Sequence, residues 1–252
     1  MRLSGHTVLI TGGAAGIGLA LTERFVRHRN QVILVGRDET KLAQAKARYP
    51  GIAATCVCDL GNEEQTNRLV ERLYAEHPEL SVLVNNAGIQ FNYSFADAQA
   101  ASGKTPAPDP RIPGEIAVNL TSPVRLVSGL LPLLSHRDEA AIVNVTSGLA
   151  IVPKKSAPVY CATKAGLRLF TKALRYQLES TNIRVFEVIP PVVDTAMTAG
   201  RGRNKITADQ LADQFWTCYG NNRLEIPIGK VKLLLWLNRL VPGAAEKILK
   251  NS

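Results

Sequence analysis

The sequence contains few of the residues that build disulfide frameworks or metal sites. It has only 4 cysteines and 4 histidines among its 252 residues. Cys161 and Cys218 are isolated, and the side chains of Cys56 and Cys58, in a strand-like run, are expected to point to opposite faces. The histidines show no metal-ligand spacing. We therefore expect reduced thiols, as in the cytoplasm, and no metal site.

Long apolar runs are also missing. No stretch approaches the roughly 20 apolar residues that a membrane-spanning helix needs. Residues 1–6, MRLSGH, lead directly into TVLITG without a segment that resembles a signal peptide. The run VKLLLWLNRL at residues 231–240 is too short to span and carries charge. These features predict a soluble, cytoplasmic protein.

Aromatic residues make up only 6% of the chain, and none interleave with basic residues as on a nucleic-acid-binding surface. The formal net charge is nevertheless +9. Part of this excess is local, because residues 223–252 contain six Lys or Arg against two Glu. A balance of this size suits an anionic cofactor or substrate. No nucleic-acid partner is expected.

What the chain does contain is a regular alternation of strand-like and helix-like segments. Near-continuous aliphatic strands separated by helices are typical of a parallel sheet covered on both faces. A Pro-rich stretch at residues 102–114 is expected to form an exposed excursion. We predict an α/β fold of Rossmann type, a doubly wound parallel sheet in a single domain. The predicted strands are residues 7–11, 31–36, 53–58, 81–85, 140–146 and 183–189, and the predicted helices are 16–29, 39–48, 62–76, 115–134 and 158–179.

A glycine-rich loop, TGGAAGIG at residues 11–18, follows the first predicted strand and precedes the first predicted helix. Glycines let the backbone turn tightly and let a diphosphate approach it, and the amides at the helix N-terminus then face the anion. Such a loop by itself can be an ordinary turn. Its position between strand and helix favours dinucleotide binding.

The second predicted strand ends in Gly36 and Arg37, with no carboxylate before Asp38. An acid at this strand end would bind the two ribose hydroxyls of NAD. A guanidinium suits the 2′-phosphate of NADP instead, through paired charge-assisted hydrogen bonds. The alternative is a solvated surface arginine. NADP(H) is favoured, and NAD(H) is the alternative cofactor.

Three motifs together carry a family resemblance. They are the glycine spacing G-x-x-x-G-x-G, NNAG at residues 85–88, and Ser147, Tyr160 and Lys164 in the pattern S-x12-Y-x3-K. With them, residues 1 to about 200 resemble the short-chain dehydrogenases/reductases, and several stretches look most like the DltE-type members. The resemblance implies an oxidoreductase that transfers a hydride between a nicotinamide cofactor and a carbonyl or alcohol.

The resemblance also implies which residues contact the cofactor. The sequence departs from the family pattern at two places. Near the nicotinamide end, Pro190-Pro191 replaces the usual Pro-Gly, and in the glycine-rich loop Ala15 stands where many members have Ser. The implied cofactor contacts are Gly12, Ala15, Gly16, Ile17, Gly18, Arg37, Asp59, Leu60, Asn86, Ala87, Gly88, Tyr160, Lys164, Val193 and Thr195.

Four residues are expected to be catalytic. Tyr160 would exchange a proton with the substrate oxygen, and Ser147 would hydrogen-bond that oxygen. Lys164 would hold the nicotinamide ribose and lower the pKa of Tyr160, which favours the phenolate. Asn119 would fix a water that relays protons to Lys164. The alternative is a packing tyrosine with a solvated lysine.

Two other functions and the C-terminal segment stay open. The rivals are a non-catalytic nucleotide-binding regulatory or scaffold protein and a basic protein that binds an anionic surface. We expect residues 1–200 to form the dinucleotide-binding and catalytic core, and residues 201–252 to form a substrate lid with a basic amphipathic segment. Residues 229–250 are expected to cap the pocket or form a subunit interface rather than contact a membrane. A homo-oligomer, dimer or tetramer, is expected.

Overall fold

Seven parallel strands form one sheet at the centre of the molecule, in the order β3-β2-β1-β4-β5-β6-β7. The computed structural model describes residues 1–96, 108–200, 202 and 204–250. The predicted Rossmann-type fold is confirmed. The last strand was not predicted, because it is too short to give a recognisable sequence pattern. The strands are β1 Thr7–Thr11, β2 Gln31–Gly36, β3 Ile52–Val57, β4 Leu80–Asn85, β5 Ala140–Val145, β6 Ile183–Ile189 and β7 Glu225–Pro227.

Helices cover both faces of the sheet. The predicted helices are found within a few residues of their expected ends, except that the helix expected at 115–134 begins earlier, at Arg111, and is interrupted by a π-helical turn at residues 117–121. Of the expected excursion, residues 102–107 lie outside the described residues and residues 108–110 precede the helix, whereas residues 111–114 are helical, so the prediction was wrong there. The helices are α1 Gly16–Arg27, α2 Glu39–Arg48, α3 Glu63–Glu76, α4 Arg111–Ile116, α5 Ser122–Ser135, α6 Pro158–Gln177, α7 Ala208–Gly220, α8 Val231–Leu240 and α9 Pro242–Leu249.

Two apolar cores lie on the two faces of the sheet, because successive strand side chains point to opposite sides. Val8 and Ile10 of β1 pack with α1, α2 and α7, whereas Leu9 packs with α3, α5 and α6. An aromatic cluster joins α1 to α7 in the first core, where the ring centroids of Phe25 and Trp216 lie 5.1 Å apart. These cores fix the strand ends on which the site is built.

The strand order reverses direction between β1 and β4. From β1 the chain builds outward to β2 and β3, then returns to add β4 on the other side. In open α/β sheets ligands bind in the crevice at the carboxyl ends of the strands beside such a switch point. The glycine-rich loop follows β1 and the NNAG segment ends β4, so both lie at this crevice.

The cysteines are free, in agreement with the expectation, but the predicted geometry of one pair was wrong. Cys56 and Cys58 both pack in the core that contains Leu9. Residues two positions apart on a strand share a face, so their side chains point the same way. Burial raises the pKa of both thiols, to about 11 for Cys58. Both are therefore protonated and unreactive at neutral pH.

One helical stretch, Arg111–Ser135, is long and apolar enough by length and composition to cross a membrane. Core helices of globular domains meet the same criteria. Leu126, Leu130 and Leu134 of this stretch are fully buried against the sheet. We therefore describe it as a core helix.

Candidate active site

The glycine-rich loop has a backbone that side chains would obstruct. Gly12 and Gly16 have φ values of +64° and +51°, in the left-handed region that favours glycine. A Cβ on Gly18 would lie 2.1 Å from the carbonyl oxygen of Gly12. Gly18 therefore allows α1 to pack closely on the loop. It does so as a buried residue and does not line the crevice itself.

The N-terminus of α1 is left open toward this crevice. Its N-cap, Ala15, makes no side-chain hydrogen bond, and the first turn contains no acidic residue. The first amides of a helix have no intrahelical acceptor, and the helix dipole adds positive potential there. An uncapped helix start beside glycines is the environment that binds a diphosphate.

Hydrogen bonds join the NNAG segment to the end of β1. The Thr11 hydroxyl accepts from the backbone amides of Asn86 and Ala87, both at 3.0 Å. The Asn86 side-chain amide donates to the Thr11 carbonyl at 2.9 Å. The two strand ends at the switch point are therefore held together by polar side chains. The sequence motifs did not indicate Thr11 as the link.

A cavity of about 290 Å³ runs along the crevice. It brings together eleven of the residues expected to contact a cofactor, together with Gly36, Cys58, Ile89, Val118, Ala196 and Met197, which were not expected to do so. Of the other expected contacts, Gly18 and Val193 are buried, and Tyr160 and Lys164 belong to the cluster described below. The eleven are Gly12, Ala15, Gly16, Ile17, Arg37, Asp59, Leu60, Asn86, Ala87, Gly88 and Thr195.

The residues that follow β2 and β3 combine a cation, which has no ion pair among the described residues, with carboxylates that already accept hydrogen bonds. Asp38 caps α2 by accepting from the Lys41 amide at 3.0 Å, and it pairs with the Lys41 ammonium at 2.9 Å. Asp59 accepts from the Gly61 amide at 2.9 Å. Arg37 is exposed and forms no ion pair with any described residue. Its guanidinium is thus available to an anion at the cavity wall.

The S-x12-Y-x3-K residues come together at the carboxyl end of β5. Ser147 follows β5, and the Lys164 ammonium donates to the Val145 carbonyl at 2.8 Å. The same ammonium lies 5.9 Å from the centroid of the Tyr160 ring. A Cβ on Gly88 would be 3.5 Å from the Lys164 ammonium nitrogen. The cluster therefore adjoins the NNAG end of the cavity.

The pKa of Tyr160 shifts in the opposite direction from the one expected. Burial raises it to about 12, and the hydrogen bond with Ser147 opposes this rise. Burial also lowers the pKa of Lys164 to about 8. Desolvation disfavours the charged form of each group. Without cofactor, Tyr160 is therefore a protonated phenol. The expected lowering of its pKa is not found in the protein alone.

Asn119 lies on the π-helical turn, and its side chain is fully engaged. Its amide donates to the Ile89 carbonyl at 2.8 Å and to the Thr163 hydroxyl at 3.2 Å, and its oxygen accepts from the Ile89 amide at 2.9 Å. Pro123, four residues on, has no N–H to donate to the Asn119 carbonyl. Pro123 therefore removes only the donor that an α-helix would supply to this carbonyl.

A buried glutamate beside Asn119 belongs to none of the sequence motifs. Glu115 is fully buried on α4 and accepts from the Tyr93 hydroxyl at 2.7 Å and the Phe91 amide at 3.3 Å. The Tyr93 amide donates to the Ser156 carbonyl at 3.0 Å. Glu115 thus ties the segment after NNAG to α4, and the Tyr93 amide ties the same segment to the loop before Tyr160. Its position four residues before Asn119, on the same helix face, was the available signal.

The C-terminal helices pack on the loop that contains Ser147. A Cβ on Gly148 would lie 3.5 Å from side-chain atoms of both Leu234 and Val231 on α8. The Lys155 amide donates to the Lys250 carbonyl at 2.9 Å, which attaches the end of α9 to the same region. The hairpin of α8 and α9 is therefore fixed beside the cluster of Ser147, Tyr160 and Lys164.

Comparison with known proteins agrees with this geometry. A family model described as short chain dehydrogenase matches residues 6–206. The uncharacterized oxidoreductase DltE of Bacillus subtilis is 46% identical over 198 residues, 78% of this chain and 75% of that protein. A short chain dehydrogenase from Burkholderia cenocepacia in complex with NADP has a TM-score of 0.84 at 24% identity and covers 100% of both chains. A short-chain dehydrogenase from Sphingobium yanoikuyae in complex with NADPH has a TM-score of 0.80 at 26% identity, with 97% and 95% covered.

Proposed function

Since the chain belongs to the short-chain dehydrogenase/reductase family, we propose that it reduces a carbonyl compound with NADPH, or oxidises the corresponding alcohol with NADP. The observation that carries this proposal is the grouping of Ser147, Tyr160 and Lys164 at the end of β5, beside the glycine-lined cavity. A proton donor, a hydrogen-bond donor and a cation thus adjoin a site shaped for a dinucleotide.

The residues of the crevice fit a nicotinamide dinucleotide. The loop glycines keep its wall free of side chains, and the uncapped start of α1 offers amides to the diphosphate. Arg37 would hold the 2′-phosphate, and Thr195 lines the cavity beside the glycine loop, since a Cβ on Gly16 would lie 3.0 Å from its side chain. When bound, the nicotinamide supplies or accepts the hydride. The NADPH complex of the Sphingobium protein supports the choice of NADP(H).

Replacing Arg37 by alanine is expected to weaken NADPH binding by about tenfold to a hundredfold, since a hydrogen bond to a charged group contributes about 1.5–3 kcal/mol. NADH has no 2′-phosphate, so its affinity should barely change. Fluorescence titration of both cofactors with both proteins measures the difference. Equal affinities of the unmodified protein for NADPH and NADH would contradict the assignment of Arg37.

The protonation state of Tyr160 suits the reducing direction. With a pKa of about 12, the phenol holds its proton at neutral pH and can donate it to a carbonyl oxygen as negative charge develops there. Ser147 would donate a hydrogen bond to the same oxygen. The Lys164 ammonium lies close enough to stabilise the phenolate that remains. The Asn119 carbonyl would hold a water that restores the proton.

The pKa of Lys164 predicts how the reaction depends on pH. Because burial lowers this pKa to about 8, the ammonium is present at neutral pH and is lost as the pH rises through about 8. Since kcat/KM for NADPH reports ionisations of the free enzyme, it is expected to fall with rising pH in that range. Tyr160 should add no break until about 12. A profile that stays flat through pH 8 would refute the lowered pKa.

The experiment that tests the proposed reaction is a substrate screen. Aldehydes, ketones and secondary alcohols are incubated with the protein and NADPH or NADP, and cofactor absorbance is followed. Leu149 and Ile151, which follow Ser147 in the chain, and Ile89, which lines the cavity, favour substrates of low polarity. Turnover of members of the panel is expected. Tight NADPH binding without turnover of any member would favour a nucleotide-sensing or scaffold protein instead.

We also propose that the protein forms a homo-oligomer through α6. Leu169 and Tyr176, seven residues apart on one face of this helix, are 70% and 60% exposed. Light scattering at micromolar concentration is expected to give a multiple of the 27.3 kDa chain mass. Leu169→Glu should shift the distribution toward monomer, whereas Val57→Glu, an exposed apolar position on β3, should not. A 27.3 kDa species alone for the unmodified protein would remove this proposal.

A further inference from the structure

The hairpin of α8 and α9 has two apolar faces, and contacts among the described residues account for only one of them. The inner face packs through Val231 and Leu234 against Gly148. The outer face is formed by side chains that are 52–63% exposed. We define the outer face as Leu233, Trp236, Leu240, Val241 and Ile248.

The outer face is a concentrated patch. Five of the thirteen strongly exposed large hydrophobic side chains in the described part of the chain lie between residues 233 and 248. Leu233, Trp236 and Leu240 are spaced by three and four residues, so they project from one side of α8. An exposed, contiguous apolar patch of this kind marks an interaction surface.

The charges around the patch identify the partner. Residues 230–250, which include the patch, carry five exposed cations against a single carboxylate, Glu246, and none of the five forms a salt bridge with a described residue. These cations face solvent and are available to anionic groups of a partner. The cations are Lys230, Lys232, Arg239, Lys247 and Lys250.

We infer that the outer face docks the protein on an anionic lipid bilayer. Leucine, isoleucine and tryptophan side chains enter the boundary between headgroups and acyl chains, and lysine and arginine bind anionic headgroups. A second copy of this chain fits less well, because a two-fold contact would place the same five cations against each other. The inner face holds the hairpin on the Ser147 loop, so docking brings that loop close to the lipid surface.

The experiment uses the full-length protein and two kinds of vesicle, phosphatidylcholine alone and phosphatidylcholine mixed with phosphatidylglycerol. Sedimentation should pellet the protein with the mixed vesicles only, and added salt should reduce the pelleted fraction. Trp236 fluorescence should shift to shorter wavelength on binding, since its ring leaves water. Trp216, inside the aromatic cluster of α1 and α7, should not respond.

Paired variants separate the apolar and the electrostatic contributions. Trp236→Gln and the double variant Lys232→Gln/Arg239→Gln are each expected to weaken binding to mixed vesicles by about tenfold or more. Val57→Gln and Arg184→Gln, an exposed apolar and an exposed cationic position on the sheet, are matched controls that should bind like the unmodified protein. Circular dichroism and NADPH affinity verify that each variant is folded.

Three results would overturn the inference. The unmodified protein could remain in the supernatant with mixed vesicles. The unmodified protein could bind equally to vesicles with and without phosphatidylglycerol, and the variant Lys232→Gln/Arg239→Gln could bind as well as the unmodified protein. Finally, Trp236→Gln could convert an oligomer into monomers in analytical ultracentrifugation, which would show that a second copy of the chain covers the outer face.

Discussion

Replacing Tyr160 by phenylalanine is expected to lower kcat by about a hundredfold to ten-thousandfold, the usual contribution of a positioned general acid. The ring remains in place beside Lys164, and only the hydroxyl that donates the proton is lost. The cavity that would hold the cofactor is not lined by Tyr160, so NADPH affinity should stay within a few-fold. Steady-state kinetics and fluorescence titration measure the two effects separately.

Tyr176→Phe is the matched control for this substitution. Tyr176 lies on the same helix, α6, and is 60% exposed, so the loss of its hydroxyl should leave turnover unchanged. If Tyr160→Phe kept more than a few per cent of the activity, the proton donor would have to be another group. The catalytic assignment of Tyr160 would then be wrong.

Replacing Gly18 by alanine is expected to weaken cofactor binding by about a hundredfold. The added Cβ would lie 2.1 Å from the Gly12 carbonyl oxygen and 2.6 Å from the Asn86 side-chain nitrogen, so α1 must move away from the loop. Overpacking typically costs about 1–3 kcal/mol, and a clash with backbone places this change at the upper end. A loss of that size corresponds to about a hundredfold in affinity.

Thermal denaturation and NADPH titration measure the effect of Gly18→Ala, with Gly114→Ala as the control. A Cβ on Gly114 would meet no atom within 4 Å, so this alanine should leave both stability and affinity nearly unchanged. An unchanged affinity in Gly18→Ala would show that the close packing of α1 on the loop is not needed for cofactor binding.

The sequence determined the architecture and the identity of the candidate site residues. Local signals carried this information: aliphatic strands alternating with amphipathic helices, glycines between β1 and α1, and a tyrosine and a lysine four residues apart on α6. Because parallel strands place their carboxyl ends at one edge of the sheet, motifs far apart in the chain could be assigned to one crevice. β7 escaped notice because three residues, EIP, carry too little pattern.

Only the tertiary structure decided the pKa values of the site residues and which side of each helix is packed or exposed. The sequence suggested that Lys164 lowers the pKa of Tyr160, but burial raises this pKa against the opposing hydrogen bond with Ser147. Burial depends on every element packed around the phenol. The engagement of Glu115 with Tyr93 likewise depends on a contact between separate segments. In the C-terminal hairpin the sequence showed an apolar stripe but not the residues against which it packs. Which leucines face Gly148 and which face outward depends on how the helix docks, and a periodic pattern by itself does not contain that information.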